Sequence, residues 1–460
     1  MDNPTVVALV PLGCPKNLID SEAMLGALAT DGCVVSLDMT DADVVVINTC
    51  GFLDAARAEA MEVINEAVTL KAAGRIRRVV VAGCLAQRDG DAIRAAAPAV
   101  DAIVGVNNRD DLTRAVLGEG TATLTETYAD AVRAAGGPVV ADDAARLRLT
   151  PAHTAYLRIS EGCSQGCSFC TIPAIRGSFR SKPLERVLAE ARELVGDGAV
   201  ELNVIGQDTT AYGRDLEDEP SLADLLRALN GLDDLRWIRV LYAYPTGVTD
   251  EIIDAMASCE KVVPYLDVPL QHIADPVLER MGRRTTRAQT EALLATLRER
   301  IERIAIRTTF IVGFPGETEA QFDELLDFIK AFRFDAMGVF AYSNEPGTPA
   351  ARLEGAVPAD EAARRVEALM LAQQAIAFAA GDARTGEMLD VLVDGVDADG
   401  RCLGRHAGQA PDVDGVCYLT DPRPDGRIVP ARVVGRDDYD LVVRPAERAR
   451  SDTLGRRRRK

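Results

Sequence analysis

Short apolar runs alternate with alanine-rich segments over most of this 460-residue chain, and that alternation restricts its fold more than any other feature. Five runs near the start have the length of a strand: residues 6–12, 34–37, 43–48, 78–82 and 102–105. Segments with helical spacing lie between them, such as residues 53–71 and 87–97. Strands that alternate with helices favour a parallel sheet with helices on both faces. Residues 1–120 are therefore predicted to form a Rossmann-like α/β domain.

The same alternation continues in a second block, residues 153–358, which is predicted to be a separate domain. It contains six apolar runs: residues 155–159, 201–205, 237–242, 265–268, 307–312 and 336–341. Helical patterns lie between these runs. Six such units are too few for a closed eight-stranded barrel. The prediction is an open, partial (β/α)6 barrel, whose open side would admit a macromolecular substrate.

The remaining segments are predicted to connect and extend these two domains. Residues 121–152 are rich in threonine, alanine and glycine, which indicates a linker with a short hairpin. Residues 359–382 are predicted to be a linking helix. Residues 383–446 alternate five short apolar runs with turn residues, a pattern typical of a small β-barrel. Residues 447–460 form a basic tail with 7 basic and 2 acidic residues.

Three cysteines follow the first apolar run of the second block with the spacing C-x3-C-x2-C: Cys163, Cys167 and Cys170. Three thiolates on one tight loop can hold three irons of a four-iron cluster, which leaves the fourth iron open to a small molecule. The alternative is a structural zinc site. Zinc prefers four ligands, and His153, the nearest candidate for a fourth, precedes the strand. The ligand count therefore favours the cluster.

A second set of cysteines lies in the N-terminal block, where Cys14, Cys50 and Cys84 each follow an apolar run. The carboxyl ends of parallel strands share one edge of a sheet, where ligands bind. We therefore expect these three thiols to converge and hold a second cluster. The alternative is that they are buried small hydrophobes, as is predicted for Cys33 and Cys259 and for Cys402 and Cys417 in the barrel.

Charge and composition exclude several classes of protein. The net charge is −19, which argues against a general nucleic-acid binder and favours a basic partner. No apolar run of membrane-spanning length and no signal peptide occur, so the expected location is the cytoplasm. Ten cysteines in such a chain indicate metal or redox chemistry rather than disulfides.

The C-x3-C-x2-C loop, with Phe169 before its last cysteine, resembles the signature of the radical S-adenosylmethionine superfamily. The resemblance implies that the open iron binds S-adenosylmethionine and that one electron cleaves it to a 5′-deoxyadenosyl radical. It also implies that loops at the strand ends contact this cofactor. Four residues in such loops are predicted to bind it: Gln207, Asp208, Gln271 and Gly313. The superfamily's common Gly-Gly-Glu is replaced by Gly-Gln-Asp at residues 206–208, and turn chemistry alone is the alternative for these loops.

Motifs around Cys14, Cys50 and Cys84 resemble those of the methylthiotransferases, a family that joins such an N-terminal domain to a radical S-adenosylmethionine domain. These motifs are Gly-Cys-Pro-Lys-Asn at residues 13–17, Asn-Thr-Cys-Gly-Phe at 48–52 and Ala-Gly-Cys-Leu at 82–85. The resemblance covers nearly the whole chain. The residues of these motifs are similar to those in the branch of the family that modifies a ribosomal protein. The tRNA-modifying branch typically reads Gly-Cys-Gln-Met-Asn and Asn-Thr-Cys-Ser-Ile.

This resemblance implies transfer of a methylthio group to the β-carbon of an aspartate in small-subunit ribosomal protein S-twelve, either free or on the ribosome. It implies two [4Fe-4S] clusters, one that cleaves S-adenosylmethionine and one that carries the sulfur. A first S-adenosylmethionine would methylate that sulfur and a second would supply the radical. A flavodoxin- or ferredoxin-type electron donor is also implied, and the C-terminal barrel would be a TRAM domain, usually an RNA-binding module.

Two alternatives stay open. A tRNA adenosine methylthiotransferase is disfavoured by the motif wording and by the barrel, in which residues 383–445 hold 12 acidic and 8 basic residues. Sparse aromatic residues there offer little base stacking. Contact with nucleic acid is expected at most between the basic tail and ribosomal RNA. A non-catalytic iron–sulfur carrier is disfavoured because a carrier needs no cofactor pocket.

Overall fold

The structure is a computed structural model that describes residues 3–119, 123–136 and 139–446. The predicted basic tail, residues 447–460, lies outside the described residues. Two α/β units and one β-barrel follow one another along the chain, in the order that the sequence predicts. No helix within the described ranges is long and apolar enough to span a membrane.

The N-terminal unit is a six-stranded parallel sheet in the order β2-β1-β3-β4-β5-β6. Its strands are β1 (Val6–Pro11), β2 (Val34–Ser36), β3 (Val44–Thr49), β4 (Arg78–Gly83), β5 (Ala102–Gly105) and β6 (Thr123–Leu124). Its helices are α1 (Pro15–Thr30), α2 (Asp54–Ala72), α3 (Cys84–Ala96), α4 (Leu112–Leu117) and α5 (Tyr128–Ala135). The predicted parallel sheet is confirmed.

Both faces of this sheet are buried, which explains why its strands are apolar without alternation. Val45 and Ile47 of β3 pack into one hydrophobic layer, and Val44 and Val46 pack into the other. All four side chains are buried. A parallel sheet covered by helices on both sides requires this pattern.

The described part of residues 121–152 does not form the predicted hairpin. Instead, β6 pairs in parallel with β5 and extends the N-terminal sheet, and α5 follows it. Thr127 and Asp130 form a reciprocal capping box that starts α5. The open edge of β5 offers backbone hydrogen bonds that a free hairpin would lack, and this favours the parallel strand.

The central unit is a second six-stranded parallel sheet, in the order β14-β13-β12-β11-β10-β7, and it is not closed among the described residues. The strands of this unit are β7 (Thr154–Arg158), β8 (Ser160–Glu161), β9 (Arg180–Ser181), β10 (Glu201–Ile205), β11 (Trp237–Val240), β12 (Val262–Asp267), β13 (Ala305–Val312) and β14 (Ala336–Ala341). Its helices are α6 (Ile172–Arg176), α7 (Leu184–Gly196), α8 (Leu222–Asn230), α9 (Asp250–Ser258), α10 (Asp275–Arg280), α11 (Arg287–Arg300) and α12 (Glu319–Phe332). The predicted partial barrel is confirmed. The short antiparallel pair β8-β9 was not predicted.

The C-terminal unit follows the long helix α13 (Ala359–Ala383) and is a closed barrel in the order β15-β16-β17-β19-β18. Its strands are β15 (Met388–Val396), β16 (Cys402–His406), β17 (Cys417–Leu419), β18 (Ile428–Asp437) and β19 (Asp440–Pro445). Cys402 and Cys417 are buried in its core, and Cys33 and Cys259 are buried elsewhere, as predicted.

The N-terminal sheet and the C-terminal barrel both pack on the inner face of the partial barrel. Tyr156, Trp237 and Tyr265 from that face join one hydrophobic cluster with Ile19 of α1 and Leu392 of β15. The open side of the partial barrel is therefore partly filled by the other two units. This packing brings the N-terminal sheet edge up to the strand ends of the partial barrel.

Candidate active site

The three cysteines of the N-terminal set follow three neighbouring strands. Cys14 follows β1, Cys50 follows β3, and Cys84 follows β4 and begins α3, and these strands are adjacent in the sheet. Gly13 makes the close approach possible. It has φ +93°, and a Cβ at this position would lie 2.7 Å from the Cβ of Cys50. The loops that carry Cys14 and Cys50 therefore touch through a residue that has no side chain.

A pair of buried asparagines fixes these loops. The side-chain amide of Asn17 donates to the carbonyls of Leu12 and Thr49, at 2.8 and 3.0 Å, so it joins the ends of β1 and β3. The amide of Asn48 donates in return to the carbonyl of Asn17, at 2.8 Å. The Sγ of Cys84 lies 3.6 Å from the Oδ1 of Asn17. The asparagine pair thus contacts Cys84 directly and fixes the strand ends that precede Cys14 and Cys50.

The second set of cysteines lies on the loop between β8 and α6, and the C-terminal end of α10 holds this loop in place. Ser168 donates through its backbone N–H to the carbonyl of Met281, at 2.8 Å, and through its hydroxyl to that of Arg280, at 2.7 Å. Phe169 meets the ring of Phe314 edge-on, with centroids 6.5 Å apart. Phe169 therefore packs against the wall beside the cysteines, where an apolar ring limits the access of water to the sulfurs.

Both cysteine sets line one cavity of about 360 Å³. Its walls include all six of these thiols, together with Lys16, Gln207, Tyr242, Gln271 and Arg283. The Oε1 atoms of Gln207 and Gln271 are buried and have no hydrogen-bond partner among the described residues. Buried acceptors without partners are uncommon in proteins, so their position in a cavity indicates that they face a polar ligand.

Two of the four residues predicted to bind S-adenosylmethionine do not line this cavity. Asp208 is buried and accepts from the backbone N–H and hydroxyl of Thr210, at 3.1 and 2.7 Å. Gly313 has φ +73° and donates to the carboxylate of Glu317. These contacts are local turns, but Asp208 also accepts from the side-chain amide of Gln165, at 2.5 Å, and Gln165 lies on the cysteine loop and lines the cavity.

Several residues of the cavity were not predicted from the sequence. Lys16 belongs to the Gly-Cys-Pro-Lys-Asn motif and lies two residues from a candidate ligand cysteine, but no pattern predicts that it lines the cavity. Arg176 follows Cys170 by six residues and Arg283 follows Gln271 by twelve, so both lie beyond the loops that carry the predicted residues. Tyr242 has φ +60°, a rare conformation for a residue with a side chain, and no sequence pattern predicts this conformation.

Burial dominates the protonation of the thiols. It raises the pKa of Cys84 and of Cys170 to about 12 and that of Cys163 to about 11. The pKa of Cys50 is also raised, with burial as the largest cause. These thiols are therefore protonated at neutral pH in the absence of metal, and metal binding must release their protons. The position of Cys84 at the start of a helix, which would favour a thiolate, is outweighed by burial.

Buried cations surround the cysteine loops. The guanidinium of Arg176 donates to Asp20, at 2.8 Å, and to Glu161, at 3.0 Å, and so connects α1 with the partial barrel. Burial lowers the pKa of Lys16 to about 7, although Cys14 and Asp267 oppose that shift. An anion held beside its ammonium would stabilise the charged form.

The donor set fits iron–sulfur clusters with an open iron. Each set offers three thiols to a shared cavity with free polar acceptors, and the described residues that line this cavity include no histidine, aspartate or glutamate as a fourth ligand. Across the described ranges, no three His, Cys, Asp or Glu side chains are grouped so that they could hold one metal ion. A cubic cluster has no such requirement, because each thiolate binds a different iron.

Comparisons with known proteins agree with this arrangement. Residues 157–329 match the Radical SAM superfamily, residues 6–105 match Uncharacterized protein family UPF0004, and residues 385–445 match the TRAM domain. Among solved structures, the fold is similar to the radical S-adenosylmethionine methyltransferase TsrM from Kitasatospora setae, with a TM-score of 0.55. That likeness covers 76% of this chain and 77% of the other at 18% identity, so it concerns the fold alone.

Curated relatives match the chain over almost its whole length. Two of them, both called "Ribosomal protein uS12 methylthiotransferase RimO", come from Geobacter sulfurreducens and Citrifermentans bemidjiense. They are 45% and 44% identical to this chain, and each alignment covers 95% of this chain and 97% of the relative. Similarity of this extent, across all three units and both cysteine sets, shows that the chain belongs to the RimO family of radical S-adenosylmethionine methylthiotransferases.

Proposed function

We propose that this chain transfers a methylthio group to the β-carbon of an aspartate in ribosomal protein uS12. It does so with two [4Fe-4S] clusters and S-adenosylmethionine. The observation that carries this proposal is that both cysteine sets open into one cavity. A group carried on one set can therefore reach a substrate that is activated beside the other, without leaving the protein.

The reaction needs a cofactor because the target C–H bond is unactivated. No side-chain base removes such a hydrogen usefully, so the bound cluster and S-adenosylmethionine supply hydrogen-atom abstraction. The chain's own residues bind and orient the cofactor and the substrate, and they exclude water from the site. Cys163, Cys167 and Cys170 would hold the cluster that supplies the electron for cleavage of S-adenosylmethionine, and Cys14, Cys50 and Cys84 would hold the cluster that supplies the sulfur.

Polar contacts to S-adenosylmethionine are assigned first to Gln207 and Gln271. Their free Oε1 atoms support this assignment. The Nε2 of Gln207 donates to Glu161, at 2.6 Å, and Glu161 is itself held by Arg176, so this glutamine is fixed before any ligand binds. We assign Asp208 and Gly313 supporting roles in the same loops, since their backbone turns shape the wall behind the cavity.

The substrate reaches this cavity through the open side of the partial barrel. We propose functional units at residues 1–120, 153–358 and 383–446, joined by residues 121–152 and 359–382. A flavodoxin- or ferredoxin-type protein supplies electrons in the cytoplasm. Any contact with nucleic acid is made to ribosomal RNA by residues 447–460.

Mass spectrometry tests the proposed function. Anaerobically reconstituted enzyme is incubated with reductant and S-adenosylmethionine, and with either uS12 or unmodified tRNA. The expected result is a methylthio-sized gain on one aspartate peptide of uS12 and no gain on the tRNA. A gain on a tRNA adenosine alone would instead place the chain in the tRNA-modifying branch.

A further inference from the structure

We propose that the Lys16 ammonium binds the carboxylate of the substrate aspartate and so selects the acidic side chain that is modified. This inference rests on the proposed function. It concerns a residue that lies in the cavity but is not one of the cluster ligands.

The charge of the cavity wall is opposite to that of the whole chain. Among the described residues that line it, three are cationic, namely Lys16, Arg176 and Arg283, and none is an aspartate or a glutamate. The chain as a whole carries a net charge of −19. A desolvated site with several cations and no carboxylate attracts anions, because charges interact more strongly away from bulk water.

Two of these cations already have partners that hold them in place. Arg176 is paired with Asp20 and Glu161, as described above. Arg283 donates to the carbonyl of Pro269, at 2.6 Å, and its Nη1 lies 3.8 Å from the Sγ of Cys167. Arg283 therefore belongs to the side of the cavity formed by the Cys163–Cys170 loop.

Among the described residues, the Lys16 ammonium has neither a carboxylate within ion-pair distance nor a hydrogen-bond acceptor, whereas Arg176 has two carboxylates and Arg283 has a backbone carbonyl. The residue is only 6% exposed. Its Nζ lies 2.7 Å from the centroid of the Tyr242 ring, a cation–π contact. A buried ammonium that rests on an aromatic face lacks the hydrogen bonds it would make in water, and a carboxylate would restore them.

The position of Lys16 fits the carbon that is modified. It follows Cys14 by two residues, so it lies on the side of the cavity where the sulfur is delivered. In an aspartate the β-carbon is bonded directly to the carboxyl carbon. A carboxylate held at Lys16 would therefore keep the β-carbon next to the Cys14 set. A glutamate held in the same way would present its γ-carbon instead.

The test measures binding as well as turnover. Peptides that contain the uS12 target are prepared with aspartate or asparagine at the modified position. Their Kd on the reconstituted enzyme is measured without reductant, followed by KM and kcat with it. We expect the parent enzyme to bind the aspartate peptide about tenfold to a hundredfold more tightly, the usual worth of a hydrogen bond to a charged group.

Two variants test whether Lys16 causes the preference for the aspartate peptide. Lys16→Met keeps the length of the side chain but removes its charge, and we expect it to bind the two peptides equally. Lys16→Arg restores the charge and should recover most of the preference for aspartate. An effect of this kind, carried mainly by Kd and KM rather than kcat, is not what a merely structural role would produce.

Three outcomes would overturn the inference. One is a parent enzyme that methylthiolates the aspartate peptide yet binds the asparagine peptide as tightly. Another is Lys16→Met retaining the preference of the parent. The third is Lys16→Met weakening S-adenosylmethionine binding while the peptide preference persists, since the carboxylate at Lys16 would then be the cofactor's. If the parent modifies no aspartate peptide at all, the proposed function itself fails, and the inference fails with it.

Discussion

At the scale of single residues, the site depends on a position without a side chain, a buried asparagine that links two loops, and buried acceptors without partners among the described residues. Gly13 allows the Cys14 and Cys50 loops to touch, and Asn17 ties the strand ends together. Gln207 and Gln271 hold buried acceptors ready for a ligand. None of these residues contributes to a hydrophobic core, so each is explained by the cavity that it surrounds.

Gly13→Ala should disrupt the first cysteine set. The new Cβ would clash with the Cβ of Cys50, at 2.7 Å, in addition to the strain of a residue with φ +93°. We expect the variant to lose the iron held by Cys14, Cys50 and Cys84. Iron analysis and unfolding by urea measure the two effects.

Gly32→Ala is the matched control. Gly32 has φ +84°, but no atom lies within 4 Å of the position that an alanine Cβ would take, so the variant carries the backbone strain without the clash. We expect a loss of about 1–2 kcal/mol in the free energy of unfolding and full iron content. Equal iron contents in the two variants would show that the close approach at Gly13 is unimportant.

At the scale of elements, a buried ion cluster fastens the C-terminal barrel to the partial barrel. Glu201 of β10 accepts from Arg239 of β11, at 3.0 Å, and from Arg405 of β16, at 2.7 Å. All three residues are buried. The two arginines outweigh the cost of burial and lower the pKa of Glu201 to about 2.

The pKa of Glu201 predicts how stability depends on pH. Its carboxylate is favoured in the folded state, so its contribution is fully present above its ordinary pKa of 4.5. That contribution is lost as the pH falls from 4.5 towards about 2. Unfolding free energies measured across this range should fall for the parent chain and fall less for Glu201→Gln.

At neutral pH, Glu201→Gln should cost about 3–5 kcal/mol, because it leaves the buried Arg239 guanidinium without an anion and Arg405 with Asp394 alone. The control is Glu291→Gln, which breaks the exposed pair between Arg287 and Glu291. We expect it to change the free energy of unfolding by less than about 0.5 kcal/mol. Similar losses in the two variants would mean that burial adds nothing to the Glu201 cluster.

At the scale of the whole molecule, an acidic protein surrounds a cationic cavity. Several acidic residues of the barrel are used internally: Asp394 pairs with Arg405, Asp412 accepts from Tyr156, and Asp414 accepts from Tyr265. The acidity of the barrel is therefore a weaker argument about its partner than the sequence suggests. The net charge of the whole chain still favours a basic substrate.

Salt should consequently affect the encounter with the substrate. We expect the KM for uS12 to rise as the ionic strength increases, because screening weakens long-range attraction between an acidic enzyme and a basic protein. Cleavage of S-adenosylmethionine without uS12 needs no such encounter and should change little. Equal salt dependence of the two rates would contradict electrostatic steering.

The strands, the helices and both cysteine sets could be predicted because their signals are local. Apolar runs, helical spacing and cysteines just past strand ends are all visible within a few residues. The roles of Lys16, Arg176 and Tyr242 could not be found in this way, because the shared cavity exists only after the N-terminal sheet packs on the partial barrel. The strand β6 was missed for a related reason, since its two residues are stabilised by a partner strand rather than by their own pattern.

The most direct test of the proposed mechanism separates the two cysteine sets. One triple variant replaces Cys14, Cys50 and Cys84 with alanine, and a second replaces the set at 163, 167 and 170. Replacement of Cys33, which is buried away from the cavity, serves as the control. Iron content, reductive cleavage of S-adenosylmethionine and methylthio transfer to uS12 are measured on each.

We predict about eight irons per chain in the parent and control and about four in either triple variant. The first variant should still cleave S-adenosylmethionine but transfer no methylthio group, whereas the second should do neither. Loss of cleavage in the first variant, with the iron of the second set still present, would contradict the division of labour between the two sets.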